Sequence, residues 1–276
     1  MADQPTVTLN TGATMPQLGF GVFQVPLDET RAAVTAAFES GYRSIDTAAM
    51  YGNEKGVAAA IAASGLAREE IFVTTKLNND AHGYDEALRA FEESRQTLGL
   101  DYVDLYLIHW PLPAKDRYVD TWKALVKLQQ DGVIRSAGVS NFQPSHLDRL
   151  IDETGVTPAL NQVELHPYLS QQPVREYDDK HTIATEAWSP IAKGGDLLTD
   201  PVITALAEKY GKSPAQVVIR WHLDIGNVVI PKSVTPQRIR DNIDVFDFEL
   251  DSDDIASVSE LNRDERTGPD PDTFNP

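Results

Sequence analysis

The chain has 276 residues, 41% of them hydrophobic, enough for a sizeable core and too many for a disordered polypeptide. Its 24 Lys+Arg against 42 Asp+Glu give a formal charge of −18, so the surface repels phosphate backbones and anionic lipid, and neither nucleic acid nor a membrane is an expected partner. There is no cysteine, which excludes a disulfide framework, a thiol nucleophile and thiolate metal sites.

The opening Met1-Ala2-Asp3-Gln4-Pro5-Thr6 lacks the basic stretch and apolar run of a targeting segment. No window approaches about 18 uninterrupted apolar residues, so a cytoplasmic location is expected. Residues 6–10 and 15–18, separated by Thr11-Gly12-Ala13, predict a hairpin that plugs the bottom of the fold that follows. Short apolar runs rich in β-branched residues then recur at 18–21, 44–46, 71–75, 103–109, 134–139, 160–163, 183–187 and 228–230. Amphipathic stretches of helical length lie between them, among them 30–39, 54–63, 84–98, 118–130 and 144–151. Asp28 is a candidate cap for the first helix, and Gly41 is its left-handed terminator. Asp200-Pro201, Ser213-Pro214 and Thr235-Pro236 each read as an N-cap followed by Pro at the first helical position, and Ser213 with Gln216 fits a capping box.

Continuous apolar strands alternating with helices imply a parallel sheet covered by helices. Successive strands start roughly 25–30 residues apart, the size of a βαβ unit. The last gap, from 183 to 228, is longer and holds two helical patterns. Eight such units predict an α/β fold: a (β/α)8 TIM barrel forming one domain over residues 1–276, with an N-terminal β-hairpin and extra helices near the C-terminus. A doubly wound sheet would carry a glycine fingerprint after its first strand, but Gly19-Phe20-Gly21-Val22-Phe23-Gln24 has no third glycine. Only residues 267–276, rich in Pro and Asp, read as irregular.

In a barrel the chemistry gathers at the C-terminal ends of the strands. Asp46 and Tyr51 follow the second strand, Lys76 the third and His109 the fourth. Ser140-Asn141 follow the fifth, Gln162, Glu164 and His166 the sixth, Glu186 and Trp188 the seventh, and Lys232-Ser233 the eighth. Each alone is an ordinary strand-end polar residue; convergence from several strands points to a site. A free Tyr has a pKa of about 10 and is a poor acid at neutral pH. A nearby Lys76 ammonium favours the phenolate and is expected to lower the Tyr51 pKa toward the working range. Asp46 would keep Lys76 charged and fixed, and His109 could donate a hydrogen bond to an oxygen gathering negative charge. Such a set suits protonation of a carbonyl oxygen while a hydride attacks the carbon. No covalent nucleophile is evident.

A hydride donor requires a dinucleotide site, and Ile230-Pro231-Lys232-Ser233-Val234-Thr235-Pro236-Gln237-Arg238 supplies a candidate. It joins Lys232, Ser233 and Arg238 to a helix N-terminus capped by Thr235, a concentration of positive charge in an acidic chain.

These residues resemble the aldo-keto reductase superfamily over nearly the whole chain. The resemblance rests on Ser44-Ile45-Asp46-Thr47-Ala48-Ala49-Met50-Tyr51-Gly52-Asn53-Glu54, Leu105-Tyr106-Leu107-Ile108-His109-Trp110-Pro111, Gly138-Val139-Ser140-Asn141-Phe142, Asn161-Gln162-Val163-Glu164 and Ile230-Pro231-Lys232-Ser233, in order. Within the superfamily the chain is most similar to bacterial 2,5-diketo-D-gluconate reductases, a likeness that Trp188 supports because many relatives carry Tyr there. The resemblance implies NADPH-dependent reduction of an aldehyde or ketone, possible diketones and keto-sugar acids included, on a barrel without a Rossmann fold. It implies Tyr51 as proton donor, Lys76 and Asp46 as its tuning pair, and His109 as the carbonyl orienter. Trp188 would stack on the nicotinamide, with Ser140, Asn141 and Gln162 holding its carboxamide. Lys232, Ser233 and Arg238 would grip the 2′-phosphate, with Asn242 near the adenine. Ser189 and Val234 match cofactor-lining positions, and Phe23 and Trp110 match aromatic walls of the substrate pocket. Asn78 departs from the family, which often has Trp there, so a more open or more polar pocket is expected.

Other barrel chemistries fit less well. A glycosidase would use two carboxylates, for which Glu164 and Glu186 could be proposed, but Glu164 is expected to point outward and Lys76, Tyr51 and the Lys232 cluster would have no role. A metal hydrolase built from Asp46, His109 and His166 lacks close ligand spacing and would place Lys76 against the cation, so no metal site is expected. A regulatory subunit that binds cofactor without turnover would not need all four catalytic-type residues. No exposed apolar stripe or heptad stands out, so a monomer acting on a small-molecule carbonyl substrate is expected.

Overall fold

The computed structural model describes residues 4–276; residues 1–3, part of the segment read above for a targeting signal, lie outside the described residues. In chain order the elements are β1 (Thr6–Thr8), β2 (Thr14–Pro16), β3 (Phe20–Gly21), α1 (Leu27–Ser40), β4 (Ser44–Asp46), α2 (Glu54–Ala63), β5 (Phe72–Leu77), α3 (Tyr84–Leu98), β6 (Val103–Ile108) and α4 (Tyr118–Gln130). There follow β7 (Ile134–Ser140), α5 (Pro144–Thr154), β8 (Leu160–Glu164), α6 (Gln172–Lys180), β9 (Ala184–Trp188), α7 (Pro201–Tyr210), α8 (Pro214–Asp224), β10 (Val228–Val229), α9 (Pro236–Ile243) and α10 (Ser252–Ser259).

Strands β3 to β10 pair in parallel, each with its neighbours in sequence. A parallel bridge between Leu18 and Val229 joins the two ends, with Gly19 N donating to Val229 O and Val229 N to Gln17 O, both at 2.9 Å. The ring is therefore a (β/α)8 barrel, as expected. Every residue of β5 and β6 is buried, because helices cover the outside and side chains fill the inside. That double burial is why these strands read as continuous apolar runs.

The hairpin β1–β2 fills the bottom. Leu9 and Met15 pack into one apolar cluster with Leu105, Leu107, Leu160 and Val228 from the strands above. Thr11 Oγ1 lies 2.8 Å from Ser136 Oγ, and Asn10 Nδ2 donates to Pro158 O at 2.9 Å, fixing the hairpin to the rim. The second hairpin strand ends at Pro16 instead of Leu18, because Leu18 is drawn into the closing bridge.

Helix ends follow local chemistry. Asp200 caps α7 by accepting from Val202 N, and Ser213 and Gln216 form the expected reciprocal box at α8. Gly41 ends α1 at φ 106°, where its N–H reaches Phe38 O, and the next N–H reaches Ala37 O. Two expectations fail. The first helix starts at Leu27 with Pro26 as its cap residue, so Asp28 lies in the first turn, where its charge favours the dipole without capping. Thr235 makes no side-chain cap; its N–H is taken by Ser233 Oγ at 3.1 Å. Among the described residues no helix is long and apolar enough to cross a membrane.

The barrel interior is tight at β7. A Cβ on Gly138 would sit 2.7 Å from Leu107 Cδ2 and 2.8 Å from Leu160 O, the second a backbone atom that cannot turn aside. Gly138→Ala should therefore destabilise the protein by about 1–3 kcal/mol, read as a lower urea midpoint at unchanged slope.

Candidate active site

The upper barrel layer is polar where the lower one is apolar. β4 ends in Asp46 and β5 carries Lys76, and the register sets Asp46 beside Thr74, so Lys76 rises just above it on the next strand. The Lys76 ammonium is fully buried and donates to Asp46 Oδ1 at 2.6 Å, Thr47 O at 2.9 Å and Tyr51 Oη at 3.4 Å. Burial alone would strip its proton, but Asp46, the Tyr51 oxygen and Glu186 outweigh burial and hold Lys76 above its ordinary value.

Tyr51 closes a short turn of residues Ala49–Tyr51 that ends in Gly52 at φ 67°. Asn53 anchors this turn by accepting from Thr47 Oγ1 at 2.9 Å and donating to Val22 O and Val25 O. The Tyr51 hydroxyl is not made acidic in the resting site, contrary to the expectation from sequence. Burial pushes it up to about 12, and the pull of Lys76 offsets only part of that rise. The phenol is thus a fully loaded proton donor at neutral pH. His109 follows β6, with its ring centroid 5.7 Å from that of Tyr51. Burial and the Lys76 charge hold its pKa well below the ordinary histidine value, so the imidazole is neutral. Its Nδ1 is buried without a hydrogen-bond partner.

Residues from β7, β8 and β9 continue the ring. Asn141, at φ 66°, accepts from Trp188 Nε1 at 2.8 Å and donates to His109 O at 2.9 Å. It therefore orients both the indole and the imidazole segment. Ser140 Oγ donates to Gln162 O at 2.9 Å. Gln162 Nε2 bridges Asp46 Oδ2 at 2.8 Å and Glu186 Oε2 at 2.7 Å. Ser189 takes φ 48° at the exit of β9, a backbone strain that recurs at functional loops.

Lys232 and Arg238 are exposed, and among the described residues neither makes an ion pair. Ser233 and Asn242 are buried beside them, while Val234 is exposed. Lys232 precedes α9 and Arg238 lies in its first turn.

At the mouth, Phe23 is exposed and its ring lies 5.0 Å from that of Tyr51. The ring of Trp110 lies 4.4 Å from that of Phe274 in the C-terminal tail, tilted by 52°, and meets Trp188 edge-on at 6.5 Å. The tail is pinned by Glu164, which is buried instead of facing outward. Its carboxylate accepts from Thr267 N and Thr267 Oγ1, both at 2.6 Å, and from Gly268 N at 3.0 Å. Burial pushes its pKa up, but hydrogen bonds from His166, Thr267 and Gly268 outweigh this and hold the carboxyl below its usual range. Gly268 crosses the Trp188 edge so closely that a Cβ there would lie 2.5 Å from the indole.

The structure gathers Asp46, Tyr51, Lys76 and His109, and it sets Ser140, Asn141, Gln162 and Trp188 against them. His166 pairs with Glu164 at 3.2 Å. Sequence reasoning gave Glu186 no task beyond the disfavoured glycosidase reading, and it missed the contacts of Phe274. The first carried a signal, an ionisable residue inside an apolar strand; the tail carried none.

The chain is similar to known proteins over nearly its whole length. The model of the aldo/keto reductase family matches residues 17–263. The chain is 58% identical, over 98% of each chain, to an aldo-keto reductase of Mycolicibacterium smegmatis. It is 54% identical, over 99% of each chain, to the methylglyoxal reductase DkgA of Escherichia coli. Among solved structures it is similar to a Gox0644 variant in complex with NADPH, at a TM-score of 0.94 and 51% identity over 98% of each chain.

Replacing Glu164 by Ala removes the acceptor of two backbone N–H groups and one hydroxyl. Amide exchange at residues 267–268 should then accelerate roughly tenfold or more, while amides of β8 keep their protection.

Proposed function

The chain belongs to the aldo/keto reductase family, and on that premise we propose that it reduces small aldehydes and ketones to alcohols with NADPH, Tyr51 serving as the proton donor. One observation carries the reading: a buried ammonium held jointly by Asp46 and Thr47 O and aimed at the Tyr51 oxygen.

The residues fit the cofactor. Lys232 and Arg238, unpaired, with Ser233 would bind the 2′-phosphate, which favours NADPH over NADH; Val234 and Asn242 would line the adenine end. Trp188 would stack on the nicotinamide, with Ser189 beside it and the carboxamide held by Ser140, Asn141 and Gln162. When bound, NADPH supplies the hydride.

The proton comes from the protein. His109 is neutral and has no spare proton to give, so its part is to donate a hydrogen bond to the substrate oxygen. Tyr51 holds its proton firmly at rest. As negative charge builds on the carbonyl oxygen, the phenol releases its proton toward it. The phenolate left behind is stabilised by the Lys76 ammonium 3.4 Å away, which Asp46 keeps charged. Phe23 and Trp110 would hold the substrate, with Phe274 closing the wall. Several relatives bear the name methylglyoxal reductase, and this supports small dicarbonyls as the preferred substrates. One barrel domain over residues 1–276, a monomer and a cytoplasmic location complete the proposal.

Tyr51→Phe should lower kcat for carbonyl reduction by roughly 10²–10⁴-fold with NADPH still binding, read by fluorescence titration. Retained turnover would take the proton-donor role from Tyr51. Lys232→Ala with Arg238→Ala should raise KM for NADPH roughly tenfold or more and leave that for NADH nearly unchanged. Equal effects on both would show that the pair does not read the 2′-phosphate.

A further inference from the structure

Of the two acids at the floor of the site, Asp46 pairs directly with the Lys76 ammonium and Glu186 does not. β8 and β9 set Gln162 directly opposite Glu186. The Gln162 amide nitrogen spends one hydrogen on Glu186 Oε2 and the other on Asp46 Oδ2. A single ammonium, Lys76, lies with these two acids. Were both acids ionised, this dry cluster would carry a net negative charge. One carboxylate oxygen would also be bare, because Glu186 Oε1 is buried and has no hydrogen-bond partner. An unpaired carboxylate oxygen in the interior is costly, and a neutral acid far less so. Asp46, in contact with the ammonium at 2.6 Å, is the acid that already has a cation for a partner. With its nitrogen committed twice, the Gln162 amide has one free function left: its carbonyl oxygen accepts no hydrogen bond from the described residues.

We propose that Glu186 is a positioning residue of this reaction: as a neutral carboxylic acid it fixes the Gln162 amide with its nitrogen toward the two acids, so that the Gln162 carbonyl oxygen is the acceptor offered to the carboxamide of NADPH. The inference rests on the reading of the site as an NADPH site.

The groups facing Glu186 are Asp46 from β4, Lys76 from β5, Gln162 from β8 and the apolar Val228 from β10, and its charge also reaches Tyr51. Burial, then the Asp46 charge, push the Glu186 carboxyl up to about 8, against the pull of Gln162 and Lys76. A raised acid is neutral below that value and ionises as pH rises through it. Once ionised, its bare oxygen competes for the Lys76 ammonium and the amide protons of Gln162, and the amide loses its fixed orientation. NADPH binding should therefore weaken toward alkaline pH.

Two measurements test this on the full-length protein. The first is the infrared difference between wild type and Glu186→Gln without cofactor, from about pH 6.5 to about pH 9.5. A protonated-carboxyl band present only in wild type at low pH and lost across the range supports the proposal; its absence throughout overturns it. The second is NADPH affinity over the same range. Wild type should lose roughly two- to tenfold, the worth of one neutral hydrogen bond, and Glu186→Gln should lose less. Parallel profiles would overturn the proposal, since every other source of pH dependence is common to both proteins. Should Glu186→Gln fail to fold, Glu186→Asp withdraws the acid from Gln162 and should weaken NADPH binding across the range; unchanged affinity there counts against it. Failure to bind NADPH at any pH would instead sink the underlying assignment and leave the infrared result standing.

Discussion

A charged lysine with no access to water is the constraint around which the upper barrel is organised. Left alone in that interior Lys76 would be neutral, and a neutral amine does nothing for a departing phenolic proton. Asp46 and the Thr47 carbonyl hold the charge in place, at 2.6 and 2.9 Å. Each of those partners is itself constrained: Asp46 through Gln162, and the Thr47 side chain through Asn53, which also clamps the loop at Val22 and Val25. Breaking the ion pair would strand one buried charge, a much larger cost than the pair's own net worth. The site is consequently built as one unit in which no member is free to adjust alone.

The barrel makes this possible by separating its two jobs along its axis. Its lower layer is hydrocarbon, sealed by Leu9 and Met15 from the hairpin. Its upper layer collects buried polar side chains from β4, β5, β8 and β9, namely Asp46, Lys76, Gln162 and Glu186. Tyr51 shows what that surrounding does. A lysine neighbour would make a solvated phenol more acidic, but here desolvation is the larger effect, so the proton is retained until a substrate oxygen draws it. The same surrounding denies His109 a second proton, and this divides the labour between donor and orienter.

Much of this was legible in the residues themselves. Continuous β-branched runs at βαβ spacing gave the parallel barrel, and the strand-end polar residues gave Asp46, Tyr51, Lys76 and His109. What escaped had physical reasons. Asp28 looked like a cap, yet the helix begins one residue earlier, behind Pro26. The direction of the Tyr51 shift depends on how thoroughly water is excluded, which a motif does not encode. Glu164 follows an apolar residue on its strand and so read as outward; its burial comes from a tail a hundred residues further along the chain. Phe274 lies in a Pro- and Asp-rich segment with no periodicity, and only the folded chain brings it onto Trp110.

The ceiling over the mouth is assembled from two distant parts of the chain. Trp110 belongs to the strand scaffold, whereas Phe274 arrives on a strap tied down at Glu164. Drift in that strap can remodel which molecules enter without disturbing the proton chemistry below, so selectivity and reactivity are free to evolve separately.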